Sequence, residues 1–94
     1  MNLDKAKKRI AKKVKIGFKG YPQISIAYFG SSQDSADEVV ISFIAEEGQA
    51  AMEERFASKS DARTDEIIQS AIVKIIERSE AKTVLLCEEI KLKS

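Results

Sequence analysis

The stretch KKRIAKKVKIGFKG, residues 7–20, carries seven Lys or Arg and no acid. Lys7, Lys8, Arg9, Lys12, Lys13, Lys15 and Lys19 are the residues whose type and spacing come nearest to a definite chemistry, the neutralisation of closely spaced phosphates. A row of ammonium and guanidinium groups grips a polyanion through its backbone charge, with little readout of base sequence. The competing role is solubility, because lysines along an edge strand discourage unwanted pairing. Base stacking would need exposed aromatics. Only Tyr21, Tyr28 and Phe29 are candidates, and two of these are expected to pack inside.

Other chemistry is thinly supported. The chain has no histidine, which removes the commonest neutral-pH base and the commonest transition-metal ligand. Ser31, Ser32 and Ser35 therefore have no imidazole to activate them. The pairs Glu46 and Glu47, Glu53 and Glu54, and Asp61 and Asp65 lack the spacing and turn glycine of a calcium loop. A metal-dependent hydrolase built on this acidic side has only the short pattern Glu89-Ile90-Lys91 in its favour, and that falls on the strand after the long helix. Cys87 ends an apolar run and precedes Glu88 and Glu89, whose charge opposes thiolate formation; it reads as a small buried hydrophobe. No cofactor or metal is expected, and no catalytic residue.

The formal net charge of +1 conceals a split. Residues 1–20 hold eight bases against Asp4, a net of +7, while the other seventy-four hold eight bases against fourteen acids, a net of −6. Such asymmetry speaks to partners and association rather than to fold. Ninety-four residues, 44% hydrophobic and 33% charged, suit one globular domain spanning 1–94. A lone cysteine and the lack of a long apolar run predict a cytoplasmic protein with no membrane span.

The elements that must position the basic row follow from periodicity. Leu3, Ala6 and Ile10 predict a short helix over 3–11 capped by Asn2. From Lys13 the pattern alternates, predicting a strand over 13–19 that buries Val14, Ile16 and Phe18 and turns Lys13, Lys15 and Lys19 to water. Gly20 and Pro22 mark a turn into a second strand, with Ile24, Ile26 and Tyr28 on one face, and the two are expected to pair as a hairpin. The polar run 31–37 reads as a loop, and EVVISFIAE as a central strand covered on both sides or nearly so. Around Gly48 a hairpin loop leads to a strand over 50–57, although its Ala, Met, Glu and Arg favour helix. Ile67, Ile68, Ala71, Ile72, Ile75 and Ile76 form the stripe of a long helix, with Gln69 opposite and Thr64 or Asp61 as its cap. TVLLC is a buried strand whose register Ile90 and Leu92 continue and Glu88 interrupts.

These elements assemble into an α+β domain of order α-β-β-β-(β)-α-β: a mainly antiparallel sheet of four to five strands, a short N-terminal helix at an edge or end, and one long helix on one sheet face. The order helix, three strands, helix resembles that of the double-stranded-RNA-binding domain. At the start of the second helix that family is basic and this chain reads SDARTDE, so the resemblance is one of element order and assigns no residue a role. The expected function is that of a small non-enzymatic domain that binds a protein or itself, as a homodimer for instance. The alternative is polyanion or nucleic-acid binding through the seven basic residues named above.

Overall fold

The computed structural model describes residues 2–92, apart from the side chain of Glu88. Helix α1 (Leu3–Ile16) is followed by strands β1 (Gln23–Gly30), β2 (Glu38–Ile44) and β3 (Met52–Ala57), helix α2 (Glu66–Ser79) and strand β4 (Thr83–Leu92). The strands form one sheet in the order β3-β2-β1-β4. β1 pairs antiparallel with β2, and β2 with β3, whereas β4 runs parallel to β1 along its other edge. The α+β class and the element order are as the sequence predicts, and the sheet is mixed.

Alternation in the strands sorts residues onto two faces. Ile24, Ile26 and Tyr28 of β1 lie in register with Phe43, Ile41 and Val39 of β2, and Ile24, Ile26 and Tyr28 also oppose Val84, Leu86 and Ile90 of β4. This face packs with Ala6 and Ile10 of α1 and with Ile68, Ile72, Val73 and Ile76 of α2 in one apolar cluster. Both helices therefore lie side by side on one face of the sheet, with α1 against α2 and against the edge strand β4. The opposite face has no helix over it. β2 accordingly has one covered side rather than two, and on its other side only Val40 is buried, flanked in register by Ala27 and Arg55.

The main departure from expectation concerns residues 13–19. Residues 13–16 are the last turn of α1, and 17–20 are loop. Two causes can be named. The spacing Leu3, Ala6, Ile10, Val14 carries the helical stripe past position 11, and lysine is a good helix former. The edge of β1 that a strand over 13–19 would have occupied is taken by β4, paired from Gln23↔Thr83 to Gly30↔Leu92. Of the three apolar side chains expected inside, only Val14 packs against the core, while Ile16 and Phe18 are exposed.

Smaller departures have local causes. Asp65, and neither Thr64 nor Asp61, caps α2: its carboxylate accepts from Ile67 N and Ile68 N at 3.0 and 3.3 Å. Ile67 faces solvent, and Gln69, expected on the polar side, is buried. β3 forms despite its helix-favouring composition because its backbone pairs with β2 from Met52 to Ala57, after a loop in which Gly48 takes φ +83°. In β4 the pairing jumps from Ala27↔Cys87 to Tyr28↔Ile90, so two residues bulge where the register was expected to break; the Glu88 side chain lies outside the described residues. Cys87 is half-buried on the helix-free face rather than in the core, its Sγ 3.6 Å from Glu89 O.

Candidate nucleic-acid interface

Helix α1 is well specified at both ends. Asn2 Oδ1 accepts from Lys5 N at 2.9 Å, Asp4 occupies the first turn, and Lys13 and Lys15 occupy the last, where positive charge complements the helix dipole. Gly17, at φ +80°, closes the helix by donating its N–H to Val14 O at 3.2 Å. With Ala6 and Ile10 buried and Leu3 and Val14 half-buried, the basic residues are turned outward or to the flanks.

The helix carries Lys5, Lys7, Lys8, Arg9, Lys12, Lys13 and Lys15, all exposed, and Lys19 follows in the loop. Lys5, Lys8, Lys12 and Lys15 recur three or four residues apart and make a ridge along the outer face. At 1.5 Å per residue that ridge is about 15 Å long, close to four phosphates at the ~3.4 Å spacing of a stacked strand. Arg9 pairs with Glu77 of α2 at 3.3 Å, both side chains being more than half exposed, so the contact adds under about 1 kcal/mol. Among the described residues the lysines of α1 have no ion pair.

Five of the seven residues singled out in the sequence also border concavities. Lys7 and Lys8 face Arg63 across a groove of about 470 Å³ that reaches Tyr28, Gln69 and Leu86. On the other flank of α1, Arg9, Lys12 and Lys13 border one of about 320 Å³ against Val73, Ile76 and Glu77. Lys15 and Lys19 lie outside both.

The polar groups beneath the larger groove are firmly held. Gln69 Nε2 donates to Tyr28 Oη and to Ala62 O, each at 2.9 Å. Burial pushes the Tyr28 hydroxyl above its ordinary pKa, so it stays protonated at neutral pH. Arg63 is clamped in a bidentate pair with Asp61 (Nη2–Oδ2 2.6 Å, Nε–Oδ1 3.0 Å) and donates from Nη2 to Asp34 O at 3.1 Å. The Arg63 guanidinium, together with the backbone N–H groups of Arg63 and Ala36, holds the Asp61 carboxyl well below the usual range, at about 2.

Three of the acidic candidates are engaged in structure. Asp61 ties the loop before α2 to the loop after β1, Asp65 caps α2 and accepts from Ser58 Oγ at 2.9 Å, and Glu53 accepts from Ser42 Oγ at 3.4 Å. No group of three or more Cys, Asp or Glu side chains among the described residues is arranged to hold a metal ion. Among the described residues no helix is long and apolar enough to cross a membrane.

One exposed aromatic side chain escaped sequence reasoning. Phe18, assigned to the core by alternation, is 62% exposed and packs edge-to-face on Tyr21, ring centroids 5.7 Å apart. The signal lay in its neighbours: the helical stripe ends at Val14, and an aromatic set between Gly17 and Gly20 sits in a loop. Comparison of the chain with protein-family models, curated proteins and solved structures returns no match, and the functional argument rests on this surface.

Proposed function

We propose that this is a cytoplasmic domain that works by binding rather than catalysis, and that it binds nucleic acid through the phosphate backbone. The observation that carries the reading is the unpaired charge of α1: six exposed lysines on a fourteen-residue helix, with Asp4 its only acid. Within a folded protein of net charge +1, such a concentration produces a local field that the remaining acids do not quench by contact. Solubility alone would be served by mixed charge over the surface.

Anisotropy of fluorescently labelled single-stranded and duplex oligonucleotides tests this. Binding at low salt should weaken with a log-log slope of about −5 for duplex and about −4 for single strand, for roughly six phosphate contacts. Lys8→Gln with Lys12→Gln should reduce the slope by about 2. If neither oligonucleotide binds at low salt, the reading fails.

A second reading, self-association, is favoured by one observation. The sheet face opposite the helices bears Leu85, 43% exposed, together with half-buried Phe29, Ile44 and Cys87. An isologous pairing of two such faces would cover it.

A further inference from the structure

We infer that the nucleic acid this surface takes is single-stranded, with an unpaired base stacked on the ring of Phe18 at the C-terminal end of α1. The inference rests on the nucleic-acid reading above and adds the class of strand and the residue that selects it.

A singly exposed phenylalanine is ordinary on a protein surface. What sets Phe18 apart is how firmly its loop is built. Lys19 N donates to Thr83 Oγ1 at 2.8 Å, and that hydroxyl, on a fully buried side chain of β4, donates to Gly20 O at 2.7 Å. Pro22 O accepts from Lys82 N and Thr83 N at 2.9 and 3.3 Å. Gly17 and Gly20 adopt φ +80° and +102°, values that let the chain leave the helix and turn back to the sheet. Tyr21 supports the ring from the side. The loop is thus anchored to β4 while a large apolar ring is left in water, an arrangement that pre-organises the ring for a partner.

The partner's chemistry follows from the neighbours. Lys15 and Lys19 flank Phe18 in the sequence, and the Lys5–Lys8–Lys12–Lys15 ridge leads toward it. A π-face at the end of a cationic track suits a strand whose bases are free to stack while its phosphates follow the lysines. In a duplex the bases are already stacked on one another, so Phe18 gains nothing there. An anionic membrane is less well matched, since the apolar stripe of α1 is buried against the sheet and α2 and cannot insert.

The chain has no tryptophan, so Phe18→Trp places a single indole reporter at the stacking position. Titration with a single-stranded oligonucleotide should quench its fluorescence, and duplex should do so weakly. Phe18→Ala and Phe18→Leu should each lower single-strand affinity by on the order of ten-fold, with duplex affinity and the salt slope unchanged. Because Phe18 is exposed, these variants keep the fold, which circular dichroism verifies. Equal binding of single strand and duplex, or single-strand binding with no indole quenching and no loss in Phe18→Ala, overturns this inference and leaves phosphate binding standing. Absence of binding to either strand form overturns both. Phe18-dependent binding to phosphatidylserine vesicles without nucleic-acid binding overturns both and points to a membrane surface.

Discussion

Replacing Gln69 with leucine should be among the costlier single changes to this domain. The side chain is 2% exposed and spends both N–H groups of its amide on Tyr28 Oη and Ala62 O, the latter on a fully buried residue. Gln69→Leu preserves volume but strips both acceptors of that donor, and leaving a buried polar atom unpaired costs about 1–3 kcal/mol. Two such losses, offset in part by the better transfer of leucine into the core, give a net cost of about 2 kcal/mol. For a chain of this size that is about 8–16 °C in Tm. Tyr28→Phe removes the hydroxyl but leaves the Gln69 bond to Ala62 O, so it should cost about 1 kcal/mol. The two changes share a partner, and in the double variant the hydroxyl that Gln69→Leu orphans is gone. The double variant should therefore be no less stable than Gln69→Leu alone, a coupling of about 1 kcal/mol. Urea denaturation of all four proteins, with m-values compared, measures this. Strict additivity, or a Gln69→Leu cost below about 0.5 kcal/mol, would show that the amide does not bridge helix, loop and sheet as described.

Asp61 predicts an acid-dependent term. Its carboxyl is held at about 2 chiefly by the hydrogen bond from Arg63, so its contribution is complete above the ordinary carboxylate value and is lost as pH falls from about 4 to about 2. Allowing for solvent screening of a partly exposed pair, that contribution is about 1 kcal/mol, and the stability gap between the protein and Asp61→Asn should close across this window in urea titrations at pH 7, 4 and 2. A gap that does not vary with pH would refute the assignment. If the helix-free sheet face mediates self-association, light scattering over a dilution series should show a dimer that Leu85→Lys dissociates; a monomeric mass at millimolar concentration would rule it out.

Much of the architecture was legible along the chain. β1 alternates without interruption, and its Ile24, Ile26 and Tyr28 could only be one buried face. The isoleucine stripe marked α2, and Gly48 marked the turn before β3, where pairing with β2 outweighed helical composition. Gln69 and Phe18 depart from the pattern for different reasons: Gln69 lies in the expected helix but on a buried face, whereas Phe18 lies in a loop and not in the strand that alternation predicts. A helical wheel or an alternation rule gives a direction relative to the element, and burial depends on what the fold brings to that direction. For Gln69 it brought Tyr28 and the carbonyl of Ala62.

The sequence by itself determined the charge asymmetry, the α+β class and the seven basic residues, because charge and composition are local and the longer apolar stripes have one reading. Tertiary structure decided whether residues 13–16 coil or extend. Over so short a window a period of 2 fits Val14, Ile16 and Phe18 while a period of 3.6 continues the stripe of Leu3, Ala6, Ile10 and Val14, and the choice turned on β4, some seventy residues away, taking the edge of β1. That pairing made the basic row one exposed helix, and it anchored beside that helix the loop that holds Phe18 in water.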